Sequence, residues 1–293
     1  MRFVLAFFAI YIIWGSTYLS IRIVVSTVPP LFAAGARFAI AGITLLIWAA
    51  WRGVPMPSSR EWRNLAMLAA LMFLAAYGGL FWAEKTLPSG VASVLVATIP
   101  VWTALMEIFI FKRERMSWPL VSATVLGLAG VSILALGSFL SSASGKVTLL
   151  AYFAILGAEI SWSFGTVLSK SLSLPESKVM SSGAEMAIGG AMLLAASACA
   201  GEMHPFPHFS KDALAALAYL IVAGSLLAFT AYVWLLSRLP ATRVATYAFV
   251  NPVVALAIGH WLGGEAFGLE TMIGSGLILG SVILILRARS VGH

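Results

Sequence analysis

The feature that most constrains this chain is a succession of apolar segments, each long enough to cross a lipid bilayer as a helix. A spanning helix needs about 20 mainly apolar residues. Proline, glycine and charged residues divide the sequence into ten such segments, which we number as spans 1 to 10. They run approximately over 3–26, 30–51, 64–84, 89–111, 117–137, 147–169, 178–200, 212–236, 241–263 and 268–287. The pattern predicts an all-α polytopic membrane protein.

The composition favours the same class and excludes several others. Of the 293 residues, 61% are apolar and 10% are charged, whereas soluble domains carry about 25% charged residues. The single cysteine, Cys199, excludes internal disulfides and thiolate metal sites. The net charge is +7, but Lys and Arg form no long run and fall mostly between the apolar segments. We therefore expect a lipid bilayer as the environment, with no nucleic-acid partner, no metal and no cofactor.

The distribution of basic residues predicts the orientation of the spans. With both termini in the cytoplasm, thirteen Lys and Arg residues fall on the inner side and three on the outer side. The three outer ones are Lys85, Lys146 and Lys211. This excess is the one that the positive-inside rule requires. We expect a multi-pass protein of the cell (inner) membrane, and we refer below to a predicted inner end and a predicted outer end.

The two halves of the sequence resemble each other. GARFAIAGITLL at 35–46 matches GAEMAIGGAMLL at 183–194 in seven of twelve positions at a shift of 148 residues. The same shift pairs Trp14 with Trp162, and further anchors at shifts of 151 and 152 pair Trp82 with Trp234, Pro100 with Pro252 and Glu114 with Glu265. Residues 1–145 and 146–293 then hold five spans each, so the second copy enters the membrane from the opposite side. Inverted repeats of this kind give secondary transporters two halves that rock around a midplane site.

Three features together resemble the EamA-type branch of the drug/metabolite transporter superfamily. They are YIIWGSTYLSIR in span 1, YAFVNPVVALAIGHWLGGE at 247–265, and ten spans in two halves of five. The resemblance covers essentially the whole chain. It implies a central cavity and secondary transport, usually outward, of amino acids or other small metabolites. One departure is FKRE at 111–114, which stands where the second half has GGE.

Residues at helical spacing predict the walls of the cavity. An apolar cavity with aromatic walls and a few polar groups suits amphipathic solutes of modest size. The candidates are Trp14, Tyr18, Tyr77, Phe81, Thr98, Trp102, Glu159, Trp162, Tyr247 and Asn251. Any one aromatic residue serves equally well in helix packing. Pro100 and Pro252 interrupt the helix hydrogen bonds of spans 4 and 9 and are hinge candidates, with a simple kink as the alternative.

Ionisable residues inside the spans indicate functional positions more strongly than aromatic residues do, because a charge at the bilayer centre costs at least about 2.5 kcal/mol on insertion scales. Arg37 and Glu185 occupy equivalent positions with opposite charge, and we expect them to pair across the repeat axis. Glu159 is the candidate for a proton site or an amine-binding group. His260 titrates near neutral pH in an ordinary environment, and we include it among the coupling or buried-charge candidates.

Several functions stay open at this point. The leading hypothesis is an exporter of amino acids, including aromatic and other neutral ones, or of related metabolites by alternating access, working as a monomer. Alternatives with the same fold are a passive facilitator and a multidrug or nucleoside exporter. A polytopic membrane enzyme needs a reactive constellation, and the sequence has no nucleophile elbow or metal-ligand pattern.

Overall fold

The computed structural model describes residues 2–112, 118–141, 145–239, 244, 247–265 and 268–290. Regular secondary structure in these residues is helical throughout. We label the helices α1 (Arg2–Val25), α2 (Pro30–Trp51), α3 (Ser59–Ala83), α4 (Ser89–Phe109), α5 (Trp118–Ser141), α6 (Gly145–Ser169), α7 (Lys178–Cys199), α8 (Lys211–Leu236), α9 (Tyr247–Trp261) and α10 (Leu269–Ser290). Glu114 and the basic residues Arg113, Arg115 and Arg243 lie outside the described residues.

Seven helices in the described part of the chain are long and apolar enough to cross a membrane. They are α1, α2, α3, α4, residues Leu149–Ser169 of α6, α7 and α8. Two further apolar stretches, Val121–Ile133 and Val250–Trp261, are shorter. The prediction of an all-helical polytopic membrane protein is confirmed, whereas the count of ten crossings and the two equivalent halves stay predictions.

Serine residues cap three of these helices at the point where the chain leaves a polar loop. Ser58 and Glu61 form a reciprocal capping box at α3, in which the Ser58 amide donates to Glu61 Oε2 at 2.7 Å. Ser177 Oγ accepts from the Met180 amide at α7, and Ser210 Oγ accepts from the Ala213 amide at α8. Each cap satisfies an amide that has no partner inside its helix, so the loops fix where these apolar helices begin.

Helices α2 and α7 pack closely along their length through glycines. A Cβ atom at Gly35 would lie 2.8 Å from Leu194 Cγ, and one at Gly183 would lie 3.0 Å from Leu45 Cβ. A Cβ at Gly42 would overlap the backbone of Ala187. Residue numbers rise along one helix as they fall along the other, so the two helices are antiparallel. Small residues permit this approach in apolar surroundings, where dispersion contacts drive helix association.

Helices α5 and α10 form a second antiparallel pair of the same kind. A Cβ at Gly130 would lie 2.7 Å from the Gly274 carbonyl oxygen and 2.8 Å from Ile278 Cγ1. A Cβ at Gly127 would lie 3.0 Å from Ser281 Oγ. The glycine-rich sequences of spans 5 and 10 therefore act in helix packing.

The two proline positions have different local structures. Helix α4 is interrupted at Ala97 and Thr98, and Pro100 lies in the first turn of its second segment, Ile99–Phe109. Pro252 lies inside α9, which continues as a helix on both sides of it. A proline in a first turn costs no helix hydrogen bond, whereas one inside a helix removes a bond. The expected equivalence of the two interruptions is therefore wrong at the level of backbone structure.

Candidate functional site

A pocket with an empty volume of about 460 Å³ lies between α1, α3, α4, α6 and α9. We call it the central pocket, and its wall consists of Trp14, Thr17, Tyr18, Ile21, Ala76, Tyr77, Leu80, Val96, Ile99, Glu159, Trp162 and Tyr247. Among these lining residues, Glu159 carries the only ionisable carboxylate and none is Lys or Arg. The pocket is thus an aromatic and aliphatic chamber with one acidic group.

Aromatic rings from both halves of the sequence meet at this pocket. Trp14 and Trp162 pack edge to face with centroids 6.1 Å apart, and Trp14 packs in the same way on Tyr247 at 5.2 Å. Trp162 also contacts Tyr77 at 5.6 Å. Tyr232 completes the cluster, 5.1 Å from Trp14 and 5.6 Å from Trp162. Rings packed edge to face hold one another in fixed orientations, so the wall is rigid.

Unusual backbone geometry anchors the first helix of each half. Residues Ala70–Tyr77 of α3 and Leu220–Phe229 of α8 are wound as π-helix, which leaves carbonyl groups available to other donors. Trp14 Nε1 donates to the carbonyl oxygen of Gly224 at 3.1 Å, and Ser161 Oγ donates to that of Leu71 at 2.8 Å. Both acceptors belong to the π-helical stretches. The hydrogen bonds join α1 to α8 and α6 to α3.

Two polar groups of α6 face the pocket. Glu159 is 4% exposed, and the ionisable groups that interact with it electrostatically are the pocket tyrosines Tyr18, Tyr77 and Tyr247. The indole Nε1 of Trp162 is buried and makes no hydrogen bond of normal geometry to a described residue, although the Tyr232 hydroxyl lies beside it. The two residues are three positions apart and so lie on one face of the helix. A buried acceptor and a buried donor left open are costly in the empty site, and a solute with complementary groups relieves that cost.

Six of the ten predicted cavity residues line the central pocket, and the other four lie elsewhere. The six are Trp14, Tyr18, Tyr77, Glu159, Trp162 and Tyr247. Thr98 accepts a hydrogen bond from Trp102 Nε1 at 3.0 Å, and its own hydroxyl donates to the Leu95 carbonyl. Those two side chains therefore stabilise the interruption of α4 instead of facing the solute space.

Asn251 and Phe81 also have structural positions that correct the prediction. With its amide oriented to match its surroundings, Asn251 donates to the carbonyl oxygens of Ile10 at 3.0 Å and Tyr11 at 2.8 Å. It thereby ties α9 to the π-helical turn of α1, Ala9–Ile13. Phe81 is fully buried and lies 6.0 Å from the Arg37 guanidinium.

The expected pairing of Arg37 with Glu185 is wrong. Arg37 is 1% exposed and its Nε donates to Ser225 Oγ at 2.9 Å, while Glu185 accepts from Ser181 Oγ at 3.2 Å. The reason is the antiparallel crossing of α2 and α7. The glycine contacts set the register of α2 on α7. In that register, the position of α7 opposite Arg37 lies about seven residues from Glu185, which corresponds to about 10 Å along a helix. In such an antiparallel pair, residues that correspond between the two halves of the sequence contact each other only at the midpoint of the paired helices.

Arg37 is held mainly by aromatic faces. Its guanidinium carbon lies 4.6 Å from the ring centroid of Phe38 and 5.2 Å from that of Tyr77. Cation–π contacts of this kind stabilise a desolvated guanidinium. Tyr77 lies between Arg37 and the central pocket, so the cation supports the pocket wall from behind.

Glu185 lines a second pocket, which we call the inner pocket because its walls lie toward the predicted inner end. The space has an empty volume of about 620 Å³. Its other lining residues are Met72, Ser169, Lys170, Leu174, Lys178, Ser181, Tyr232, Val233, Leu236 and Ser237. Tyr232 belongs both to this wall and to the aromatic cluster, so the cluster at the central pocket also contacts the inner pocket.

At the predicted outer end, hydrogen bonds and an ion pair join a group of residues that we call the clasp: Arg22, Leu87, Ser89, Gly90 and Glu265. Glu265 Oε1 accepts from the amide and hydroxyl of Ser89 at 2.8 Å each, and Oε2 accepts from the Gly90 amide at 3.1 Å. Arg22 Nε lies 3.5 Å from Glu265 Oε1, and Arg22 Nη1 donates to the Leu87 carbonyl. The carboxylate thus caps the first turn of α4 and binds α1.

His260 lies beside the clasp and is exposed, so its place among buried-charge candidates is corrected. Its Nδ1 is 3.0 Å from the Glu265 carbonyl oxygen. The chain turns back after α9, which carries His260 to the helix end and out of the apolar interior. The sequence analysis did not predict the clasp, although the closing GGE sequence and the position of Arg22 inside span 1 were visible signals.

Comparisons with known proteins agree on one family. The model of the EamA-like transporter family matches residues 1–136 and 149–287. The uncharacterized inner membrane transporter YedA of Escherichia coli K12 is 38% identical over 283 residues, covering 96% of this chain and 89% of that protein. The uncharacterized transporter YvbV of Bacillus subtilis is 26% identical, covering 94% and 88%. One solved crystal structure superposes with a TM-score of 0.67 over 98% of both chains, and at 20% identity this likeness shows a shared fold alone.

Proposed function

Because the chain belongs to the EamA-like transporter family, we propose that it is a secondary transporter that exports amino acids, including aromatic and other neutral ones, or related small metabolites. Its solute binds in the central pocket and reaches the two sides of the membrane alternately. Both termini face the cytoplasm, and the chain works as a monomer in the cell membrane.

The observation that carries the proposal is the pair of open polar groups on α6. Glu159 offers a carboxylate to an ammonium group, and Trp162 Nε1 offers a donor to a carboxylate or carbonyl oxygen. A free amino acid carries both complementary groups on one carbon atom. The surrounding rings of Trp14, Tyr77 and Tyr247 suit an apolar or aromatic side chain.

Alternating access is supported by contacts that recur in the two halves. A Cβ at Gly224 would lie 3.0 Å from Thr17 Cγ2, and one at Gly165 would lie 2.6 Å from Met72 Cγ. Thr17 and Gly165 correspond at a shift of 148, and Met72 and Gly224 correspond at 152. The same helix contact is therefore made twice. The glycine belongs to α8 in one case and to α6 in the other. Two such halves, 1–145 and 146–293, form the inverted repeat that we propose.

The direction of opening is supported by the difference between the two ends. The clasp ties α1, α4 and the segment after α9 together at the predicted outer end. The inner pocket lies at the opposite end, and Tyr232 of the aromatic cluster forms part of its wall. In the proposed cycle this conformation receives a cytoplasmic solute.

The test is counterflow in proteoliposomes with radiolabelled neutral and aromatic amino acids, a nucleoside and an aromatic amine. We expect saturable exchange of amino acids by the wild type and its loss in Glu159→Gln. The matched control is Glu176→Gln, which removes a carboxylate from the loop before α7, outside the central pocket.

Each outcome assigns or removes a solute class. Exchange of amino acids that survives Glu159→Gln removes the carboxylate from binding and contradicts the proposed pocket chemistry. If folded wild-type protein exchanges no amino acid, the amino-acid assignment is wrong.

One observation favours a second candidate, an exporter of organic amines. The described lining of the central pocket contains Glu159 and no Lys or Arg, and aromatic walls attract organic cations. Exchange of the amine without exchange of any amino acid would select this candidate.

A further inference from the structure

A second buried carboxyl group lies outside the central pocket. Glu84 follows α3 directly and is 1% exposed. Neither Oε1 nor Oε2 makes a hydrogen bond of normal geometry to a described residue, and the favourable contacts that act on the carboxyl come from the backbone and charge of Arg22 and from the charge of Arg37. An ionised carboxylate buried without a partner carries a desolvation penalty of several kcal/mol. The closed arrangement therefore suits the neutral, protonated acid.

Glu84 lies next to the clasp. It is one helical turn beyond Leu80, which lines the central pocket. The charged groups that act on it are Arg22 of α1, Glu265 after α9 and Arg37 of α2. Tyr18 of α1 also faces it, and Glu159 lies on α6, which packs against the same part of α3. Two carboxyl groups, those of Glu84 and Glu265, thus stand near the single guanidinium of Arg22.

We propose that Glu84 is a proton-binding site whose occupancy decides whether the clasp closes the predicted outer end of the central pocket. When Glu84 holds a proton, Arg22 is attracted by Glu265 alone and the clasp forms. When Glu84 is ionised, it competes for Arg22 and requires water, so the clasp opens. The inference rests on the alternating access of the proposed function and makes opening at the predicted outer end depend on the outer pH.

The proton balance follows from this competition. Closing the clasp accompanies formation of one O–H bond on Glu84, with the proton taken from the outer solution. Opening breaks that bond and returns the proton. A higher outer pH therefore favours the open clasp, and the amide of Glu84→Gln imitates the protonated acid at every pH.

The test follows access to the central pocket from outside. Ala76→Cys places a thiol in the pocket wall, in a Cys199→Ala background because Cys199 is exposed. A membrane-impermeant maleimide is added to right-side-out vesicles over a range of outer pH, with and without Glu84→Gln. Because thiol reactivity itself rises with pH, the quantity to compare is the ratio of the two labelling rates at each pH.

We expect the rate without Glu84→Gln to exceed the rate with it by several-fold at alkaline pH and to approach it at acid pH. Glu270→Gln, at an exposed carboxylate in the first turn of α10, should leave the pH dependence unchanged. A ratio that is constant with pH overturns the proposal.

A second variant covers the case in which Glu84→Gln fails to fold. Arg22→Gln removes the shared cation, so labelling should be high and its pH dependence should be that of the thiol alone. If Arg22→Gln retains the pH-dependent closure, the proposal is overturned. Neither assay uses a solute, so their failure leaves the counterflow test of the proposed function untouched.

Discussion

The indole rings of Trp14 and Trp162 lie edge to face, with their centroids 6.1 Å apart, in the wall of the central pocket. They occupy corresponding positions at the shift of 148 residues but differ in one polar contact. The Trp14 N–H donates to the Gly224 carbonyl, whereas the Trp162 N–H has the Tyr232 hydroxyl beside it and makes no hydrogen bond of normal geometry to a described residue. One indole N–H is thus used in the fold, and we propose that the other binds the solute.

This difference predicts that replacing each Trp with Phe changes a different property of the protein. Trp14→Phe removes a buried interhelical hydrogen bond, which is worth about 0.6–2 kcal/mol in membrane proteins, so we expect a lower unfolding temperature. Trp162→Phe removes a donor that makes no hydrogen bond of normal geometry to a described residue, so it should weaken solute binding with a smaller effect on stability. Thermal unfolding in detergent and the half-saturation concentration for counterflow measure the two effects. Equal stability losses would contradict the assignment.

Close packing of α2 on α7 predicts a strong effect of one added methyl group. A Cβ at Gly42 would overlap the Ala187 backbone, whereas one at Gly157 of α6 has open space around it. Overpacking typically costs about 1–3 kcal/mol. Gly42→Ala should lower the unfolding temperature clearly, and Gly157→Ala should leave it unchanged or raise it slightly, since alanine favours helix. Similar temperatures for the two variants would show that the helices are not in close contact.

The clasp predicts unequal contributions from its two charged members. Glu265 is buried and accepts from two amides and one hydroxyl, so Glu265→Ala removes a helix cap worth about 0.5–2 kcal/mol. The Arg22 side chain is 37% exposed, and partly exposed ion pairs contribute about 0–1 kcal/mol. Thermal unfolding of Glu265→Ala and Arg22→Ala should show the larger loss for glutamate. A larger loss for Arg22→Ala would mean that the ion pair, not the cap, holds this end.

Much of this architecture follows from the sequence because bilayer physics restricts the choices. Apolar length predicts where helices lie, and the spacing of Trp14, Tyr18 and Tyr77 predicts the faces that meet at the pocket. The recurring glycines of spans 5 and 10 predict close helix contacts, which Gly130 and Gly274 make.

Other features depend on geometry that one sequence does not specify. The separation of Arg37 from Glu185 arises from the register in which α2 and α7 pack antiparallel. Aligning the two halves of the sequence shows which residues correspond, but it does not show which residues face each other across the two helices. Tyr232 joins the aromatic cluster although Leu80 is its counterpart at a shift of 152, so symmetry did not point to it. The π-helical winding of α3 and α8 rotates the side chains that follow, which an ideal helical period cannot anticipate.

The basic residues predict that both termini face the cytoplasm. A reporter that is active only in the cytoplasm, fused after His293, should be active. The same reporter inserted in the loop before α8, between Phe206 and His208, should be inactive because that loop is on the predicted outer side. Opposite activities would invert the topology and exchange the inner and outer ends assigned above.

The most direct test of the central claim is accumulation against a gradient. A solute that exchanges in counterflow is loaded into wild-type proteoliposomes with and without an imposed pH gradient, and its internal concentration is followed past equilibrium. The account predicts that the pH gradient drives wild-type protein to accumulate the solute above the external concentration. Equilibration to equal concentrations under every gradient would contradict it and identify a passive facilitator.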